Sequence, residues 1–364
     1  MKRNPTRKDP AVLIMAGGMG TRFWPASRER LPKQFLPICG PKPMVEESFD
    51  RAASLTDPQR IFVIINAHHR STARKILGDR GARLVEEPCG RNTAPCIGLG
   101  CIHVIRRFGD LPTIALPADH FISGRTEFLR CLQQGVSLLD KGGLVTIGIT
   151  PTYPETGYGY IEKGVSLSDG EAYRVDRFVE KPNLERAGEF LASGRYLWNS
   201  GIFIFKPSTM LKEIALHLPR LGEGLGRISE SLGTERYPEI LEEVYGGIEP
   251  ISIDYGVMER TKEPVYVVEG RFGWSDVGSW AAVRKLREAE KDAEGNIASG
   301  KVLFLDTTNT FVHSQTERLI AVLGLDDLLV VDTEDVLLLA DIKRSQEVRR
   351  FSEMVRRKGR TEYV

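Results

Sequence analysis

The stretch best equipped for chemistry runs from Met15 to Leu36: Met-Ala-Gly-Gly-Met-Gly-Thr-Arg-Phe-Trp-Pro-Ala-Ser-Arg-Glu-Arg-Leu-Pro-Lys-Gln-Phe-Leu. The apolar run Ala11–Ala16 leads into it, which predicts a buried parallel strand feeding a glycine loop. Gly17, Gly18 and Gly20 lack Cβ atoms. Backbone N–H groups from Ala16 to Thr21 are therefore expected to close around phosphate oxygens. Arg22 follows at once, and Lys33 comes later in a loop bracketed by Pro25 and Pro32. Two cations beside a glycine turn suit a triphosphate. The spacing is not that of a dinucleotide fold: counting from Gly18, Phe23 stands where G-x-G-x-x-G needs its third glycine. No Gly-Lys-Ser/Thr follows either, so the Walker reading fails. The glycines alone would equally make a tight strand-to-loop turn with two surface cations. The complete block, with Arg22 and Pro32-Lys33-Gln34-Phe35-Leu36, favours phosphate binding.

This block resembles the opening of the sugar-phosphate nucleotidyltransferases, specifically their GDP-mannose pyrophosphorylase branch, in which Gly-Gly-x-Gly-x-Arg is followed by Pro-Lys and Lys-Gln-Phe-Leu. The resemblance runs from about Ala11 to Gly278 through separate blocks and weakens over the C-terminal third. It implies transfer of GMP from GTP to mannose 1-phosphate, releasing pyrophosphate, with Mg²⁺ as cofactor.

The later blocks are read with that resemblance in view. Glu86-Glu-Pro-Cys-Gly-Arg-Asn-Thr-Ala-Pro95 corresponds to the family's base-binding segment. Guanine presents N–H donors on one edge, so Glu87 or Glu86 is expected to read it. Arg91, Asn92 and Thr93 should open a helix whose N-terminus favours anions, or simply cap it before Pro95. Leu116-Pro-Ala-Asp-His120 ends an apolar strand, where ligands of open α/β sheets gather. Asp119 is a candidate Mg²⁺ ligand, and His120 is expected to be structural. Glu155-Thr-Gly-Tyr-Gly159 resembles the family's sugar-binding turn, with Gly159 letting the backbone approach the hexose. Phe178-Val-Glu-Lys-Pro182 matches the Glu-Lys-Pro signature: Glu180 would take hexose hydroxyls and Lys181 the sugar's phosphate. Asn199, in Leu197-Trp-Asn-Ser-Gly201, would bind the sugar. Asp276, in Gly273-Trp-Ser-Asp-Val-Gly-Ser-Trp280, is the second candidate metal ligand, and Ser279 would cap the next helix. Asp254, Tyr255 and Glu259 resemble a stretch near the mannose pocket.

The implied chemistry needs no protein nucleophile. A phosphate monoester has a second pKa of about 6, so the sugar phosphate is largely dianionic at neutral pH. Catalysis is then positioning and charge neutralisation. Lys181 would position the attacking phosphate, Asp119 and Asp276 would hold Mg²⁺, and Arg22 and Lys33 would stabilise the departing pyrophosphate.

The elements that must position these groups read as α/β. Short apolar runs at Ala11–Ala16, Ile61–Asn66, Thr113–Pro117, Leu144–Ile149 and Gly201–Phe205 alternate with helical patterns near Ser71–Leu77, Pro95–Phe108 and Glu127–Leu139. That predicts a doubly wound, mostly parallel sheet. Residues 1–291 are expected to form the catalytic domain. Residues 292–364 should form a small β-solenoid-like domain, with short strands near 302–305, 310–313, 319–322, 328–331 and 336–339 and a charged helical tail at 343–358.

Bulk properties agree. The chain has 364 residues, 41% of them hydrophobic, with 50 Lys+Arg against 49 Asp+Glu. That suits a globular chain and gives no sign of nucleic-acid or membrane binding. Five cysteines without a C-x-x-C pair predict reduced thiols. With no apolar N-terminal stretch, a cytoplasmic location is expected. The length predicts a monofunctional chain, and exposed β edges in the C-terminal part would suit a homodimer. Three other readings are weaker. The runner-up is the same reaction class with another hexose 1-phosphate or another nucleotide, which a substrate panel would separate. A silent GDP-mannose-sensing paralogue would not need Arg22, Lys33, Asp119, Lys181 and Asp276 together, and a nicotinamide oxidoreductase fails on glycine spacing.

Overall fold

The computed structural model describes residues 9–18, 21–168 and 170–364. They form two compact units. Of the described residues, the first takes in 9–17, 48–118 and 122–274, and the second takes in 18, 21–47, 119–121 and 275–364.

The first unit is built on a nine-stranded sheet. Its strands are β1 (Ala11–Ala16), β2 (Ile61–Asn66), β3 (Arg83–Glu87), β4 (Thr113–Pro117), β5 (Leu144–Ile149), β6 (Tyr160–Ser168), β7 (Ala172–Val179), β8 (Tyr196–Phe205) and β9 (Val265–Gly270). Their spatial order is β3-β2-β1-β4-β8-β5-β9-β7-β6. The runs read from sequence as β1, β2, β4 and β5 are strands with those same limits. Their continuous apolar character reflects burial on both faces.

The sheet is more mixed than expected. β3, β2, β1 and β4 run parallel, but β8 lies antiparallel to both β4 and β5. An apolar run reports burial, not direction, so Gly201–Phe205 could not show this. The hairpin β6–β7, also antiparallel, closes one edge. Helices Thr93–Phe108, Pro207–His217, Pro219–Ser231 and Tyr237–Gly247 share one core with Leu13, Phe62 and Ile64 of the sheet. Helix Arg125–Leu138 packs on β5 and β9.

Strand order reverses between β1 and β4, since β2 and β3 continue to one side and β4 starts the other. Ligands of open α/β sheets bind at such a point, beyond the carboxyl ends of the strands. Here Met15 lies beside Pro117, and the Ala118 N–H donates to Met15 O at 3.0 Å. From these two strand ends the chain runs directly into Gly17-Gly18 and Asp119.

The second unit holds six short strands: β10 (Ile297–Ser299), β11 (Lys301–Leu305), β12 (Phe311–Ser314), β13 (Leu319–Leu323), β14 (Leu328–Asp332) and β15 (Leu337–Asp341). β10, β12 and β14 stack in parallel, and β11 pairs in parallel with β13, as in successive coils of a solenoid. β15 returns antiparallel to β14. The charged tail forms a 3₁₀ stretch, Ile342–Val348, and a helix, Arg349–Arg357. The core of this unit also contains Phe23, Trp24, Leu36, Ile38 and Met44 from the segment after the glycine loop.

Candidate functional site

In the first unit, Gly17 ends β1 directly over Glu87, the last residue of β3. A Cβ on Gly17 would stand 2.9 Å from Glu87 Oε2, so glycine is required by close approach. Glu87 is 2% exposed and accepts from Tyr245 Oη at 3.0 Å. Burial pushes its carboxyl up to about 7, against the opposing bonds from Tyr245 and Cys96. Strand pleating sends the preceding Glu86 to the other face, where it pairs with Arg70 at 3.0 Å. The two glutamates that sequence left as alternatives are thus separated: Glu87 supports the glycine turn from beneath, and Glu86 is half-exposed.

Arg91 has other partners than the phosphate expected for it. Its Nε and Nη2 donate to Tyr245 O at 2.7 Å and Gly246 O at 3.3 Å, carbonyls at the carboxyl end of helix Tyr237–Gly247. A guanidinium there satisfies carbonyls that the helix leaves unpaired. Asn92 caps the next helix in a left-handed conformation (φ 70°), its Oδ1 accepting from Thr93 N at 2.8 Å. Thr93 Oγ1 accepts from Ile253 N, and Ala94 N donates to Ile251 O. Residues 251–253 therefore already occupy part of the helix N-terminus that was expected to face an anion.

The residues expected to hold the sugar converge nearby in the same unit. Asn199 N donates to Gly159 O at 2.8 Å, and Asn199 Nδ2 donates to Asp254 Oδ1 at 2.7 Å. A Cβ on Gly159 would collide with Glu180 Oε2. Lys181, at φ 43°, bonds Glu180 Oε1 at 2.6 Å, which raises its pKa; Tyr255 and Asp254 add to this. Asp254 opens a single π-helical turn, Asp254–Met258, a form of helix that often marks functional sites. Burial pushes the Asp254 carboxyl up, against the Asn199 bond and with Glu180 adding to it. Burial, Glu180 and Asp254 likewise push up Glu259. The result is a crowded set of carboxylates around one lysine, suited to accepting hydroxyl hydrogen bonds and seating a phosphate. Asp254 and Glu259, which only the family resemblance had suggested, are full members of it.

In the second unit, Lys33 is 9% exposed and all three of its ammonium hydrogens have acceptors. They are Asp119 Oδ2 at 2.9 Å, Asp276 O at 2.9 Å and Val277 O at 3.1 Å. Lys33 therefore ties the Asp119 carboxylate to the main chain of the turn that carries Asp276. Burial pushes the Asp119 carboxyl up, but Lys33 and His120 more than offset this and hold it below the usual range. Val277 sits at φ 49°, a costly conformation for a β-branched residue. Its N–H is held by Ser275 Oγ and its C=O by Lys33. Gln34 Nε2 donates to Gly18 O at 2.8 Å, so the Lys-Gln pair braces both the glycine turn and the aspartate turn. Arg22 is exposed, and its Nη1 and the Asp276 carboxylate both flank the bare Cα of Gly278. Ser279 caps helix Trp280–Leu286 as expected. Gly20 and the side chain of Thr21 lie outside the described residues.

Comparison with known proteins shows the family. Residues 11–293 match the nucleotidyl transferase family model, and residues 300–357 match the MannoseP isomerase/GMP-like beta-helix domain. An Escherichia coli mannose-1-phosphate guanylyltransferase is 39% identical over 96% of this chain and 75% of its own length. The xanthan biosynthesis protein XanB of Xanthomonas campestris is 39% identical over 97% of this chain and 75% of its own. A Thermus thermophilus crystal structure, named as a mannose-1-phosphate geranyltransferase, superposes with a TM-score of 0.86 at 36% identity, covering 96% of this chain and all of that one. The chain belongs to the nucleotidyl transferase family and, within it, to the mannose-1-phosphate guanylyltransferases.

Proposed function

We propose that the chain transfers GMP from GTP to α-D-mannose 1-phosphate, giving GDP-mannose and pyrophosphate. The observation that carries this reading is Lys33 joining the Asp119 carboxylate to the main-chain carbonyl of Asp276, 157 positions further along the sequence. The residues fit Mg²⁺ by type: Asp119, whose carboxyl is held below its usual range, and Asp276 would hold it with hard oxygen donors, alongside phosphate oxygens. Bound there, the metal would neutralise triphosphate charge. Lys181, Glu180, Asn199 and Asp254 would seat the sugar phosphate, with Lys181 orienting the attacking oxygen. Gly17 and Gly18 would let the backbone approach the nucleotide phosphates, and Arg22 and Lys33 would oppose charge on the leaving pyrophosphate. Glu87 would act on the nucleotide by fixing the glycine turn. The displacement is in line, with no covalent intermediate on the protein.

A cytoplasmic location and a homodimer complete the reading. No helix of the described residues is long and apolar enough to cross a membrane. Leu303, Leu305, Leu319 and Leu323 make an exposed row across β11 and β13 that suits a second copy. The decisive experiment measures pyrophosphate release over a matrix of the four nucleoside triphosphates and several hexose 1-phosphates. GTP with mannose 1-phosphate is expected to have the highest kcat/KM. A higher value for another pair would replace the substrate assignment while leaving the reaction class.

A further inference from the structure

Within the second unit, the terminal helix packs on the turn that carries Arg22. Several contacts fix it in place. Trp24 and Phe351 stack with ring centroids 5.5 Å apart and planes 14° from parallel. Trp24 Nε1 donates to Tyr363 O at 2.8 Å, and Arg28 grips Asp335 with two bonds and Glu362 O with a third. Arg356 pairs with Glu29. These contacts leave a cavity of about 230 Å³ lined by Arg22, Gln346, Glu347, Arg349 and Arg350.

The cavity is cationic. Its one carboxylate, Glu347, already accepts from Arg344 at 2.7 and 2.8 Å and from Arg350 at 2.8 Å. Arg22 and Arg349 form no ion pair among the described residues. On its other side Arg22 approaches Asp276 across Gly278, where a Cβ would lie 3.5 Å from Arg22 Nη1 and 3.1 Å from Asp276 Oδ2. Arg349 thus shares a cavity with Arg22, and Arg22 in turn shares the approach to Gly278 with the Asp276 carboxylate.

We propose that Arg349, delivered by the terminal helix, forms with Arg22 a binding site for a pyrophosphoryl group. This rests on the nucleotidyltransferase reading, in which that group enters on the triphosphate and leaves as pyrophosphate. Two planar guanidinium forks match the oxygens of adjacent phosphates, and neither has to be taken from a carboxylate. The C-terminal unit then contributes a substrate contact as well as a scaffold.

Binding of inorganic pyrophosphate to the full chain, in the presence of Mg²⁺, is measured by calorimetry for wild type, Arg349→Ala, Arg349→Lys and Arg357→Ala. Arg357 is on the same helix but lines a different cavity. Losing one charge-assisted contact should weaken binding roughly tenfold or more in Arg349→Ala. Arg349→Lys should regain part of the loss, and Arg357→Ala should bind as wild type does. Thermal melts check that the variants are folded. Unchanged binding in Arg349→Ala, or an equal loss in Arg357→Ala, overturns the site. Turnover of GTP and mannose 1-phosphate, assayed in parallel, separates the two ideas. A wild type that binds pyrophosphate through Arg349 but makes no sugar nucleotide would retire the reaction and keep the site; active enzyme with an indifferent Arg349 would do the reverse.

Discussion

Lys33 combines charge and structure in a single side chain. Lys33→Met keeps the length of the side chain but leaves Asp119 without its ammonium and frees the carbonyls of a strained turn. Breaking a buried pair costs about 3–5 kcal/mol, and Asp119 keeps some solvent contact, so a loss of about 2 kcal/mol is expected. Turnover should fall about 100-fold as well. The pH dependence supplies a second readout. The Asp119 carboxyl lies below its ordinary 3.8, so it contributes stability above that value which is lost as pH falls through the depressed one. Lys33→Met should flatten this acid limb in urea titrations; an unchanged limb would locate the stabilisation elsewhere.

Glu87 has the opposite sign. Its carboxyl rises from 4.5 to about 7, so its contribution is fullest below 4.5 and is lost as pH climbs through 7. Gln in its place can still accept from Tyr245 without charging. Glu87→Gln should therefore gain stability relative to wild type as pH rises across that window, by about 1–3 kcal/mol. Comparing urea midpoints at the two ends checks this. Glu86→Gln, altering the half-exposed partner of Arg70, should leave both stability and nucleotide preference unchanged.

At the scale of elements, two turns position the residues proposed for the sugar and the metal. Gly159 leads into β6 and lies against Glu180 at the end of β7, so a methyl group there must displace the carboxylate. Gly159→Ala is expected to raise the KM for mannose 1-phosphate by about tenfold or more, the scale of one charge-assisted hydrogen bond, with a smaller effect on the KM for GTP. Equal effects on both would mean a general disturbance of the hairpin. The aspartate turns differ in kind. Asp119→Asn and Asp276→Asn keep the shape of their loops, so both should fold, lose most activity and require more Mg²⁺. If either variant shows an unchanged Mg²⁺ titration of rate, that aspartate leaves the metal site.

On the scale of the whole molecule, the chain does not build its two units from two consecutive stretches. The solenoid strands share their core with Phe23, Trp24, Leu36 and Trp280, side chains that precede residue 292. A fragment of residues 292–364 would expose these contacts and is expected to lack cooperative thermal unfolding by circular dichroism. A sharp transition would show that the strands are self-sufficient. The exposed leucine row gives the oligomeric counterpart. If it is a dimer contact, Leu303→Lys with Leu323→Lys should yield monomers by sedimentation without loss of helix content.

The sequence alone determined the class of chemistry and the skeleton of the sheet. Fully buried parallel strands must be apolar on both faces, so β1, β2, β4 and β5 stood out as unbroken runs. The glycine block, Asp119, Lys181 and Asp276 stood out through the resemblance of their whole blocks to the sugar-phosphate nucleotidyltransferases, because Gly, Asp and Lys taken singly are ordinary turn residues. Strands with one polar face, such as Arg83–Glu87 and Tyr160–Ser168, gave no comparable signal, nor did the helices between 207 and 247. Tertiary structure decided the rest. Pleating separated Glu87 from Glu86. Arg91 turned to helix-end carbonyls that no side-chain pattern reveals. Lys33 found two of its three acceptors in main-chain oxygens more than 240 positions away. A backbone carbonyl is the same at every residue, so no sequence motif could announce that bond, nor the packing of Phe351 on Trp24 that brings Arg349 beside Arg22.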